Sequence, residues 1–390
     1  MSLLQDVLDR KDYCIELRRW FHQNPEPSLE EYETANRIES ELDKLGITHT
    51  RVGDTGVYAT IKGLKGEGKV LIIRADIDAL RIQDLKTCEY ASKKDGLMHA
   101  CGHDAHTASL LTLASILKEK EKEFAGEIRL FFQQSEENGQ GARQFVKAGL
   151  CKGADRVIGY HGNSTLQVGT VSCTPGPNNA SCDFFRITVK GKSAHVSKPH
   201  QSIDALVIAS QIVVNLQSIV ARNTDPLDTV VVGIGVCKAG TTYNIVAEDA
   251  ILEGTTRTFN AISREKTNGL VTSIAKDIAK AYGGSAEVHF ENFANPLINN
   301  DEVTEEMALC AEKIVGKENV IRNQVKRLDA DDMADFLQEI PGTYMFVGTC
   351  NPNNSDTASA HHNGHYDLDE DSMLIATSCL YQYTKKIFNI

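Results

Sequence analysis

The stretch 97–110, LMHACGHDAHTASL, holds His99, Cys101, His103, Asp104 and His106 and runs straight into an apolar, helix-like segment. A cysteine and a histidine two positions apart in a loop offer a thiolate and an imidazole, good ligands for zinc or another transition ion. The competing reading is a buried cysteine with surface histidines near a helix start. So many donors in so few positions favour a metal, since histidine is the commonest metal-binding side chain. Glu136 and Glu137 follow RLFFQQS. Neighbours on a strand point to opposite sides, yet where a strand enters a loop both can reach one site. One carboxylate can then bind a metal while the other takes a proton from water, the division of labour that hydrolysis needs. The alternative is that both complement the N-terminus of the following helix. His161 and the run HHNGHYDLDE at 361–370 add imidazoles, each of which alone could be structural. Arg74, Asp76 and Asp78 in RADID could be plain ion-pair partners, and their role at such a site would be to orient the ligands and not to bind the metal. KGLKGEGK has neither Walker nor Rossmann glycine spacing, and no nucleophile elbow is present. The chemistry on offer is metal-assisted hydrolysis.

The elements that must position these residues show in the hydropathy pattern. KVLIIRADID (69–78), EIRLFFQQSEE (127–137) and DRVIGYHG (155–162) are short, nearly continuous apolar runs, as strands covered on both faces read. Helical periodicity at 104–119 and 140–149 separates them, which predicts a βα alternation and a mostly parallel sheet. Each run ends in polar residues, His161 closing the third, and open α/β sheets gather their sites beyond the carboxyl ends of the strands. After TPGPNNAS (174–181) the texture changes. DFFRITVKG alternates with period two, then come an apolar-periodic stretch at 202–222, two more strands, a helix at 262–282 and AEVHFENF. The order β-α-β-β-α-β fits a compact α+β domain. The predicted organisation is a first domain of residues 1–180 and 294–390, interrupted by a second of residues 181–293.

Composition narrows the function classes. A chain of 390 residues exceeds one ordinary core, and a net charge of -12 argues against nucleic acid as a partner. No apolar run approaches the ~18 to 20 residues of a membrane span. The N-terminal MSLLQDVLDRKDYCIELRRWF reads as one charged amphipathic helix and not a signal sequence. Ten cysteines scattered singly, with no CxxC, point to reduced thiols and a cytoplasmic location.

MHACGHDAHT, with RADIDAL before it and QQSEENGQGA after it, closely resembles the M20 family of metallopeptidases and amidohydrolases. The branch is that of N-acyl-amino-acid amidohydrolases, hippurate hydrolases and auxin-conjugate hydrolases. The resemblance runs from RRWFHQNPEPSLEEYET (18–34) through GKSAHVSKPH (191–200) and NIVAEDAILEGTTRTF (244–259) to HNGHYDLDED (362–371). It implies a zinc-peptidase-like α/β catalytic domain with a mostly parallel sheet, interrupted by a ferredoxin-like α+β lid through which the chain forms a homodimer. It also implies two divalent metal ions per subunit, zinc, manganese or cobalt, with Cys101, His103, Glu137, His161 and His362 as ligands. His361 and His365 lie within a loop adjustment of the last position. Glu136 falls at the place of the general base, and His195 where a histidine reaches a neighbouring subunit's site. Asn244 and Arg257 fall where the substrate's carboxylate is bound or the lid side of the cleft is shaped. The chain departs from the family pattern at Arg81, Ala105, Gln134, Ser135 and ADDM (330–333), changes that bear on the substrate more than on the metal chemistry. The implied activity is hydrolysis of N-acyl-L-amino acids to a carboxylic acid and a free amino acid. Deacetylation of N-acetyl-diaminopimelate and a dipeptidase activity are alternatives on the same scaffold. A metal-binding module without turnover is disfavoured, because Glu136 and the full ligand set are present.

Overall fold

The three apolar runs form the strands Val70–Asp76, Glu127–Gln133 and Arg156–Gln167 at the heart of an 8-stranded sheet. The computed structural model describes residues 1–390. Val70–Asp76 pairs in parallel with Glu127–Gln133 on one side and with Arg156–Gln167 on the other, and Gly342–Cys350 extends the parallel core beyond Arg156–Gln167. This is a mixed α/β fold whose sheet is parallel at its centre. Its antiparallel edge, Thr48–Val52 against Gly56–Lys62 and the latter against Glu127–Gln133, was not anticipated from the sequence. Those strands are short, and their apolar residues are interleaved with polar ones, so they do not stand out as buried runs.

Both faces of this sheet are covered. The helix His103–Glu119 is buried at every residue from 103 to 117, its polar first turn included. It packs against the helices Lys11–Gln23 and Asp371–Phe388. On the opposite face Phe131 stacks 4.7 Å from Phe145 and 5.4 Å from Phe336, which are carried by the helices Gly141–Lys147 and Met333–Glu339. Each buried phenylalanine contributes about 1.5–3 kcal/mol. The N-terminal segment forms two helices, Gln5–Leu8 and Lys11–Gln23, in place of the single one expected, because Arg10 leaves helical geometry at φ -115°.

The chain divides into two compact units: Met1–Gly176 with Ile298–Val325 and Asp331–Ile390, and Pro177–Leu297 with Lys326–Ala330. The second unit runs Cys182–Lys190, Ala205–Ser218, Val230–Ala239, Asp249–Thr258, Ala261–Ala281 and Ser285–Ala294, strand-helix-strand-strand-helix-strand. Its four-stranded sheet is antiparallel throughout, in the order Ser285–Ala294, Cys182–Lys190, Asp249–Thr258, Val230–Ala239. Asp204 caps one helix through the Leu206 and Val207 amides, and Asn260 caps the other through the Ser263 amide. Contrary to the expectation from sequence, one helical stretch, Ala205–Asn223, is long and apolar enough to cross a membrane by length and composition. Its Ile208, Ile212 and Leu216 lie buried in this unit's own core with Phe185, Ile187 and Leu252.

Candidate metal centre

Parallel strands bring their carboxyl ends to one edge, and there the first unit collects its donors. His161 does not end its strand, which continues to Gln167, but it lies just past Arg74↔Gly159, the last pair made with Val70–Asp76. Cys101 and His103 sit on either side of Gly102, whose left-handed φ of 92° starts the helix His103–Glu119. A Cβ at Gly102 would meet Tyr366 Oη at 2.8 Å, so the turn requires glycine on both counts. Glu136 and Glu137 follow Ser135, which also has a left-handed φ, 59°.

Five overlapping groups result: Cys101, His103 and His161; Cys101, Glu137 and His362; His103, Glu136 and Glu137; Asp76, His103 and His106; and Glu136, Asp331 and Asp332. Within each group the donor atoms lie within 4.8 Å of one another. Cys101 Sγ is 3.4 Å from His161 Nε2, and Glu137 Oε1 is 3.4 Å from His362 Nε2 and 3.9 Å from His103 Nε2. The imidazoles of His103 and His161 are both oriented from behind. His103 Nδ1 faces Asp78 O at 2.9 Å and Asp78 Oδ1 at 3.2 Å, and His161 Nδ1 donates to Gly162 O at 2.7 Å. A ring that donates through Nδ1 presents a lone pair at Nε2, the arrangement metal-ligating histidines share. His103 Nε2 and Glu137 Oε1 are buried with no hydrogen-bond partner. A divalent cation fits that pair, since it takes both an imidazole lone pair and a carboxylate oxygen.

The electrostatics are those of an acidic pocket. Burial opposes charge on His103, but Asp76, Asp78 and Glu137 outweigh it and push its pKa up to about 10. Burial raises the Cys101 thiol, with Glu137 and Glu136 adding to the effect. Burial, then Asp331 and Glu137, holds the Glu136 carboxyl well above its usual range. A cation reverses this logic, because it lowers the proton affinity of every donor around it.

The sequence reading and the structure part at several neighbours. His106 is spent internally, with Nδ1 2.5 Å from Asp76 Oδ1 and Nε2 accepting from the Gly162 amide at 3.1 Å. His361 packs 4.7 Å from the Tyr366 ring and accepts from the Ser164 amide, while His365 is exposed and belongs to no donor group. His99 is buried, and burial brings its pKa down to about 3. Sequence reasoning missed one buried network and saw only part of a second. Arg18 and His22 both bond Asp104, at 2.9 and 2.7 Å. Arg74 reaches Asp76, Asp332, Gln133 and Tyr344 at 2.6–3.0 Å and Asp331 at 3.5 Å. Arg74 stands out in sequence as a cation among apolar strand residues, with Asp76 beside it, but its links to Gln133 and Tyr344 leave no mark there.

His195, Asn244 and Arg257 belong to the second unit. There His195 forms a backbone bridge with Ile245, and the Val196 amide donates to Asn244 O, which sets His195 and Asn244 on adjoining segments. His195 is exposed, with its Nδ1 accepting from the Ser197 amide, and Arg257 is half-buried on the strand Asp249–Thr258.

Thiol, imidazole and carboxylate donors within 4.8 Å of one another, next to a second carboxylate at the edge of a parallel sheet, define a metal-binding hydrolase. The chain belongs to the peptidase family M20/M25/M40, whose sequence profile matches residues 72–386, and it is a hydrolase of amide bonds. It is 37% identical over 376 residues to an N-acetyl-L-cysteine deacetylase of Bacillus subtilis, covering 96% of this chain and 88% of that one. It is 42% identical over 294 residues to an N-acyl-L-amino acid amidohydrolase of Geobacillus stearothermophilus, covering 75% and 79%. The crystal structure of the YXEP protein of Bacillus subtilis, a dinuclear metal-binding peptidase of the M20 family, matches with a TM-score of 0.82. Its identity is 32%, over 98% of this chain and 99% of that one.

Proposed function

We propose that the protein hydrolyses N-acyl-L-amino acids, with two divalent ions held by Cys101, His103, Glu137, His161 and His362 and with Glu136 as the general base. The observation that carries this reading is the unsatisfied pair His103 Nε2 and Glu137 Oε1, buried 3.9 Å apart in the same donor group as Glu136. Leaving such atoms buried without a hydrogen bond is costly. When bound, divalent metal polarises the amide carbonyl and acidifies water. Glu136 takes the proton of the attacking water and returns it to the departing amine. A thiolate donor favours zinc, cobalt or manganese over magnesium. The names of two relatives, one a deacetylase of N-acetyl-L-cysteine and one an N-acyl-L-amino acid amidohydrolase, support the substrate class.

In this reading residues 181–293 are a ferredoxin-like lid through which two chains dimerise, which the strand order of the second unit supports. His195 stabilises the oxyanion of a neighbouring subunit's substrate, and Asn244 with Arg257 holds the substrate carboxylate. That all the cysteines are free accords with a reducing compartment. The test is amine release from acetyl-, benzoyl- and long-acyl amino acids, their carboxylate-capped forms and dipeptides, after metal-free protein is reloaded with each metal. Release from the free-carboxylate acyl amino acids, at least ~10-fold above the capped forms, is expected. Release from dipeptides alone would replace the reading with a dipeptidase, and saturable binding without release over hours would make the protein a binding module.

A further inference from the structure

Ser135 is one of few residues other than glycine with a left-handed backbone, φ 59°, and it immediately precedes Glu136. L-residues avoid this conformation because Cβ crowds the following carbonyl, so the surroundings must hold it. They do so from both ends. The Ser135 amide donates to Glu31 Oε1 at 2.8 Å, across 104 residues of chain. Its carbonyl accepts from the Gln140 and Gly141 amides, and the Gly139 amide closes onto Glu136 O. The Glu137 amide donates to Asp78 Oδ2 at 3.0 Å, and Ser28 Oγ donates to the same oxygen.

Glu31 is fully buried and stands at the N-cap of the helix Tyr32–Lys44, yet its side chain makes no capping bond there. It is turned away from its own helix. Its second oxygen accepts from the buried Thr55 hydroxyl at 2.6 Å, which fixes the carboxylate plane. The segment carrying it is itself constrained: Leu29 has φ 67°, and the Ala79 amide donates to Glu26 O. A buried carboxylate aimed at one distant amide is an expensive device for a loop that any exposed turn could close. Its location at the base of the SEEN turn supplies the reason.

We infer that Glu31 is a positioning residue for hydrolysis: it clamps the left-handed turn at Ser135 and thereby sets where Glu136 and Glu137 project. This rests on Glu136 being the base, but the clamp can be tested without turnover. In metal-free protein, Glu31→Ala should speed amide hydrogen exchange of the peptide 134–141 by at least ~10-fold while the strand Val70–Asp76 keeps its protection. In loaded protein, Glu31→Ala should lower kcat by at least ~10-fold with little change in KM, and Glu31→Gln, which keeps an acceptor oxygen, should retain most of the activity. Glycine adopts left-handed φ as readily as right-handed, so in a Ser135→Gly background Glu31→Ala should lose several-fold less. Unchanged exchange at 134–141, equal loosening of the central strand, or fully additive effects with Ser135→Gly would each overturn the clamp. If Glu136→Gln proves active while the exchange result holds, the base assignment fails and the clamp stands.

Discussion

In the 8-stranded sheet Arg74 lies fully buried against Asp76, Asp331 and Asp332, whereas in the four-stranded sheet Arg186 meets Glu253 and Lys190 meets Asp249 at the surface. The first sheet has helices on both faces, and the second packs both its helices into one core that includes Phe185, Ile187 and Val189. Arg186 and Lys190 lie out of phase with those residues on the same strand, so they face the uncovered side. Charge placed in a double-covered sheet must be paired, oriented and close to other charge, and that is where perturbed proton affinities gather. Charge on an uncovered face is hydrated and nearly independent of its partner.

Breaking the buried cation should have the largest effect. Arg74→Met leaves Asp76, Asp331 and Asp332 without their common partner, and a loss of about 3–5 kcal/mol is expected. The sole tryptophan, Trp20, reports urea unfolding of the first unit. The sign with pH follows from Asp331 and Asp332, whose carboxyls burial already raises, Asp332 to about 8. Without Arg74 the folded state binds more protons than the unfolded chain, so the variant's stability falls as pH rises and its deficit is larger at pH 8 than at pH 5. A deficit that grows toward acid would show that the arginine is not what those carboxylates depend on.

Next in size is Glu136→Gln, which keeps shape and removes the base. A fall of at least ~10²-fold in kcat is expected with metal content unchanged. Near-normal turnover would move the base elsewhere. The smallest effect should come from the uncovered face, where Arg186→Ala is expected to change stability by less than about 1 kcal/mol, measured by circular dichroism. A larger loss would mean that the outer face of the second sheet is covered in solution, and the contrast between the sheets would collapse.

The same contrast explains what the sequence disclosed. Double-covered strands write themselves as apolar runs, and polar donors stand out beside them, so Cys101, His103, Glu136 and Glu137 are legible in the sequence. Residues that act through others leave no such mark. Arg18 and His22 sit among ordinary charged helix residues and Glu31 in a charged stretch just before a helix, and only their contacts with Asp104 and Ser135 set them apart. In the second unit the period-two and helical patterns disclosed the four strands of the sheet and the two long helices, but not the short strand Gly176–Asn179 or the short helices Pro199–Gln201 and Ile219–Asn223. His195, Asn244 and Arg257 rested on resemblance alone, because partly exposed residues are not distinguished by pattern.

The place of Gly342–Cys350 in the large sheet also orders events in time. It pairs with Arg156–Gln167 in parallel and with Val171–Ser172 in antiparallel fashion, so the first sheet remains two fragments until residue 350 has been made. The four-stranded sheet needs nothing beyond Ala294. During synthesis, at roughly 5–20 residues per second, the second unit's sheet can therefore close while the first still shows an open edge. Chains halted between these points expose the apolar flank of Arg156–Gln167, the kind of unpaired edge that invites aggregation.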